Sequence, residues 1–196
     1  MKTKLIYTAI IFLISFNCKA QILDSNQQII PVEDHYDILF GLNLTQINPG
    51  DHIKDVNNVL DKYVGIWVGT YNNRNYEFRI TEFSEVTEGI TNDILHIRYK
   101  ITDVNGTIIG NTTNLNSESP LIIIGLYLTN TGFYVSYFVG PNGKCGQSGN
   151  LHIIVTENNT KLGVIFFPEP DIIDGSECTQ AVDFLFPQTY TLFDKQ

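Results

Sequence analysis

Basic residues are few in this chain: 12 Lys and Arg stand against 21 Asp and Glu in 196 residues, a formal charge of −9. A phosphate backbone is held by a basic face, so nucleic acid is not an expected partner. Histidine and cysteine are scarce as well. His35, His52, His96 and His152 lie far apart without the spacing of a metal site, so neither a metal nor another cofactor is expected. There is no apolar run long enough to span a bilayer, no internal repeat and no low-complexity tract. What the chain does have is apolar and aromatic material, with 43% hydrophobic residues, 10 Tyr and 12 Phe. That is enough to fill the core of one folded domain.

Residues 1–20 read as a signal peptide: Lys2 and Lys4 precede an apolar stretch over 5–16, and Cys18-Lys19-Ala20 offers small residues where a signal peptidase cuts. The rival route is lipid attachment at Cys18, against which Asn17 stands in place of the usual small residue. Export to the periplasm or the exterior is the expectation. Cleavage after Ala20 leaves 9 basic against 21 acidic residues, a formal charge of −12. Cys145 and Cys178 then remain as a pair in an oxidising compartment, where a disulfide is the expected outcome. Such a bridge closes a loop of about 33 residues and contributes on the order of 3 to 4 kcal/mol.

From residue 63 onward, short runs rich in Ile, Val, Tyr, Phe and Thr alternate with Gly, Asn and Pro clusters, which is the grammar of strands and hairpins. Strands are expected near 63–71, 76–83, 93–102, 107–112, 121–128, 132–139, 149–156, 160–167 and 188–193. Turn chemistry at Asn105-Gly106, at 129–132 and at 157–160 makes consecutive strands antiparallel neighbours. The fold class is therefore all-β, an up-and-down barrel of about eight or nine strands, because closure removes aggregation-prone edges. Ile53, Val56, Leu60 and Tyr63 recur at helical spacing with Asp51 placed to cap, predicting one short helix ahead of the sheet. The domain plan is a leader over 1–20, an extended arm over 21–50, with one pairing around 37–44, and the barrel over 51–196. A long connection spans 168–187.

Alternation assigns faces. Tyr63, Gly65, Trp67, Gly69 and Tyr71 share one side of the first strand, and Tyr76, Phe78 and Ile80 one side of the second. Tyr63, Trp67, Tyr76 and Phe78 are thus expected inside, as aromatic lining of a ligand cavity or, for Trp67, as the plug at the barrel base. In the third strand Ile94, His96, Arg98 and Lys100 face opposite to Leu95, Ile97 and Tyr99. That polar ladder is either solvated or places His96 and Arg98 to hold a carboxylate. No catalytic residue is singled out. Asp51, Asp55, Asp61, Glu77 and Glu82 are the carboxylates available for acid and base roles, with no spacing that separates them from solvated charges.

The segment Tyr63-Val64-Gly65-Ile66-Trp67 resembles the G-x-W of the first strand in lipocalins, fatty-acid-binding proteins and avidins. That family usually packs a late Arg on the Trp ring, and here no Arg follows Arg98. The longer run from Lys54 to Trp67 is similar to the opening of an uncharacterised family of small exported Bacteroidetes proteins. This resemblance implies a lipocalin-like barrel and supplies no catalytic residues. The expected function is a binding module for a small, partly apolar ligand, contacted by Tyr63, Trp67, Tyr76, Phe78 and Arg98. The alternative is a cell-envelope structural or interaction module, with a protein partner and a barrel filled by its own side chains.

Overall fold

The computed structural model describes residues 27–140, 147–169 and 183–196. The leader, Cys18, Cys145 and Cys178 lie outside the described residues. Eleven strands follow one another: β1 (Ile29–Pro31), β2 (His52–Lys54), β3 (Gly65–Tyr71), β4 (Arg74–Thr87), β5 (Ile90–Asp103), β6 (Ile108–Asn111), β7 (Ile123–Leu128), β8 (Tyr134–Val139), β9 (Ser148–Thr156), β10 (Lys161–Pro168) and β11 (Thr191–Lys195). One α-helix, α1 (Val32–Leu39), and one 3-10 turn (Asp61–Tyr63) complete the described structure.

Eight strands close on themselves as an antiparallel up-and-down barrel in the order β5-β4-β3-β11-β10-β9-β8-β7, with β7 returning to β5. Two short seams complete the ring. Lys195 and Asp194 pair with Trp67 and Val68, and Ile97 and His96 pair with Ile123 and Ile124. Turn residues with positive φ make the hairpins, as two-residue loops of this hand require: Asn72 and Asn73 between β3 and β4, and Glu88 and Gly89 between β4 and β5. The β4–β5 ladder runs without a register shift from Arg74↔Asp103 to Thr87↔Ile90. β3 follows β4 only from Gly65↔Ile80 to Tyr71↔Arg74. The far half of the β4–β5 hairpin therefore projects past the barrel rim.

The helix forms in a different place from the one the spacing predicts. Asp51 does not cap a helix. Its carboxylate accepts N–H bonds from Gln28 (2.9 Å) and Asn48 (2.8 Å), and His52–Lys54 pairs in parallel with Ile29–Pro31 and with Thr91 and Asn92 of β5. Asp55 then accepts the Val59 and Leu60 N–H groups, each at 2.8 Å, a side-chain alternative to helical pairing that ends any continuation. The periodic Ile53, Leu60 and Tyr63 are buried all the same, while Val56 is exposed. The arm, read as extended, instead holds α1, which starts after Pro31 with Glu33 and Asp34 complementing the dipole of its first turn. It packs through Tyr36 and Phe40 against Tyr127 of β7.

Candidate functional site

Tyr63, Trp67, Tyr76 and Phe78 all point inward, as alternation predicts, and all four are buried. Each is committed to the protein itself. Trp67 is fully buried and donates its indole N–H to the Tyr63 carbonyl at 2.8 Å. The Lys195 ammonium lies 4.9 Å from its ring centroid, so a late Lys supplies the cation that the sequence lacks as Arg. Gly69 leaves room for the Phe193 ring, since a Cβ there would stand 2.7 Å from it. Tyr63 donates its hydroxyl to the Gly132 carbonyl at 2.7 Å. This end of the barrel is closed by Tyr63, Trp67 and Tyr134.

Phe186 closes the other end. Its ring sits 4.8 Å from Phe138, 5.0 Å from Tyr99 and 5.9 Å from Phe78, mostly edge to face, the favoured geometry for aromatic pairs. Its segment is strapped across the opening by the Tyr76 hydroxyl on the Leu185 carbonyl (3.0 Å), by Arg74 on the Phe184 carbonyl (2.7 Å), and by Gln147. Burial pushes the Tyr99 hydroxyl up to about 12 at this end, and burial at the opposite end raises Tyr63 and Tyr134. Within the connection expected over 168–187, the phenylalanines at 184 and 186 are the sequence signal for its return to the core.

Arg98 is placed elsewhere. It lies on the outer face and reaches the Leu115 carbonyl (3.4 Å) and the Ser117 hydroxyl (3.3 Å). His96 is also on that face but buried, stacked on Phe83 at 4.4 Å, with its Nε2 unpartnered. Burial and then Arg98 hold its pKa below the usual imidazole value. The structure therefore separates Arg98 from the four inward aromatics.

A polar network that the sequence did not reveal gathers at the rim below the projecting hairpin. Asp93 accepts from the Ser84 hydroxyl (2.6 Å), faces His52 Nε2 (3.0 Å) and accepts the Asp55 N–H (3.0 Å). Burial opposes its ionisation, yet these donors draw its pKa below the ordinary value. Ser, His and Asp all meet here, but Ser84 and His52 both address Asp93, so no base is aimed at the hydroxyl. Glu82 stands nearby with its pKa raised by burial and then by Asp55, Asp93 and Asp61. Among the described residues no group of three or more His, Cys, Asp or Glu is placed to hold a metal ion. The missed signal was Glu88-Gly89, a two-residue turn that lengthens the hairpin and brings Ser84 opposite Asp93.

Two clefts among the described residues open on the outer surface. One, of about 380 Å³, crosses β3, β4 and β5 between Val68, Thr70, Glu77 and Lys100. The other, of about 320 Å³, lies beside α1 between Leu39, Ile47, Ile53, Ile94 and Leu126, with Glu85 and Glu88 on its border. Next to it Phe40, Leu42 and Leu44 are exposed, Leu44 to 92%. No described helix is long and apolar enough to cross a membrane.

No curated protein and no solved structure matches the chain. A family model matches residues 1–164 of the 196, and by that match the chain belongs to the family of unknown function DUF6705.

Proposed function

We propose that the protein is an exported interaction module in which the barrel is a rigid scaffold and recognition takes place on the outside. The supporting observation is Phe186, which occupies the space where a barrel of this size would hold a ligand and packs on Tyr99, Phe138, Phe78 and Phe166. Export is part of the reading and rests on the pattern of residues 1–20; a partner in the cell envelope follows from it. Fold alone does not choose a function, so the surface must carry it. Native mass spectrometry and melting of the mature chain against a saturated fatty acid, a retinoid and an aromatic amine test this. No bound mass and no melting shift are expected. A ligand whose binding is abolished by Tyr76→Ala or Phe78→Ala contradicts the reading.

A second reading keeps a small, partly apolar ligand but moves it to the cleft beside α1, whose lining is mainly aliphatic. In that case the melting shift persists in Tyr76→Ala and disappears in Leu126→Glu.

A further inference from the structure

Closing a barrel removes free strand edges, yet the projecting hairpin restores one. Past Ile80, residues 81–87 of β4 have β5 on one side and no strand on the other among the described residues. All but Glu85 are exposed, and Glu85 is half-buried. The hydrogen-bonding phase of the edge follows from the turns. Thr87 and Ile90 flank a two-residue loop and exchange both their backbone bonds, so the odd-numbered residues of this stretch bond to β5. The N–H and C=O groups of Glu82, Ser84 and Val86 therefore point to the open side. Two further edge strands among the described residues are short: three-residue β1, ending in Pro31, and four-residue β6.

Exposed edges are ordinarily blunted by charged side chains, Lys above all, by Pro or by a bulge, and here the charge is acidic. Thr81-Glu82-Phe83-Ser84-Glu85-Val86-Thr87 has no Lys and no Pro, and its ladder with β5 has no bulge. Its charges are all of one sign. Glu82 carries the repulsion of Asp55, Asp61 and Asp93 on the inner face, while Glu85, with Glu88 beyond it, borders the cleft on the outer face. Phe83 presents a partly exposed ring between them. Such an edge fits an added strand in which cationic side chains lie opposite Glu82 and Glu85 and apolar ones beside Phe83 and Val86.

We propose that the open edge of β4 at Glu82, Ser84 and Val86 is a docking site for an extended, lysine- or arginine-bearing segment of a partner protein, which adds to the sheet as a further strand. The proposal rests on the outer-surface reading above and names the partner's chemistry. Its test uses the isotope-labelled mature chain and a capped peptide of alternating Lys and Val, with a Glu and Val peptide of equal length as control. The Lys peptide is expected to slow amide exchange at Glu82, Ser84 and Val86 about tenfold or more. The Glu82→Gln, Glu85→Gln double variant is expected to weaken binding about tenfold, and added salt to weaken it further. Val86→Pro removes one open donor without touching the ladder with β5 and is expected to abolish the protection. N-methylation of alternate peptide residues gives the same block with the protein unaltered. Unchanged exchange at the three amides, or equal protection by the Glu peptide, overturns the proposal. So does protection already present in a peptide-free dimer, which would make a second copy the occupant. Perturbation elsewhere on the outer face overturns the edge but leaves the interaction module standing, whereas perturbation confined to Tyr76, Phe78 and Phe138 overturns both.

Discussion

Asp93 ties the β4–β5 hairpin to the segment of β2, 38 to 41 residues upstream, because one carboxylate receives Ser84 from β4, His52 from β2 and the Asp55 N–H from the turn that follows. Bonds to a charged acceptor are worth more than neutral ones, and leaving their donors unpaired adds to the cost. Asp93→Ala is expected to lower the unfolding free energy by about 3 kcal/mol, read from urea melts at pH 7. Because the folded-state pKa of Asp93 is depressed, its stabilisation is full above the unfolded value near 3.8 and is lost as pH falls through the folded value. The variant should therefore lose part of the native acid transition below about pH 4; an unchanged transition would assign the network no role. At this scale the sequence was only partly readable. Inward Tyr63, Trp67, Tyr76 and Phe78 follow from a period of two, but their partners, Lys195, Phe186 and the Gly132 carbonyl, are far along the chain and leave no local pattern.

The β5–β7 seam, with two residue pairs, is the narrowest point of closure described here beside the equally short β3–β11 one. One residue beyond it, the Leu95 N–H is satisfied by the Tyr134 hydroxyl at 2.9 Å rather than by a strand. That hydroxyl lies over Gly125, where a Cβ would overlap it, and β7 carries a register shift between Gly125 and Tyr127. Gly125→Ala is expected to displace Tyr134, free the Leu95 N–H and cost about 2 to 4 kcal/mol. Amide exchange should then rise first at the seam; an unaltered exchange pattern would contradict this role. Alternation and turn residues made most strands legible, including the turns at 105–106 and 157–160. They failed where tertiary pairing overrode local period: residues 52–54 became a strand because β1 and β5 offered partners, and of the residues at apparent helical spacing Ile53, Leu60 and Tyr63 are buried in non-helical backbone or the 3-10 turn while Val56 is exposed. α1 was passed over because it is one short amphipathic stretch whose aromatic contacts lie on β7.

Across the whole molecule, His35, His96 and His152 share one displacement: burial comes first among its causes and holds each pKa below 6.5. The unfolded chain therefore binds these protons first as pH falls, so their contribution to stability declines from about pH 6.5 downward. Glu82, whose pKa is raised, works in the opposite direction toward its unfolded value of 4.5. Among the described residues, three groups against one predict a lower urea midpoint at pH 5.5 than at pH 7.5; an equal or higher midpoint would refute the balance. The same packing that desolvates these groups fills the barrel, and hollow or solid was the question alternation could not answer. It shows which side chains face inward and not whether a remote phenylalanine joins them. Xenon enters apolar cavities and finds no place in a close-packed interior. A crystal of the mature chain under xenon pressure is expected to show no atom bound among Tyr76, Phe78, Tyr99, Phe138 and Phe186, and a xenon atom seated among those rings would contradict the filled barrel.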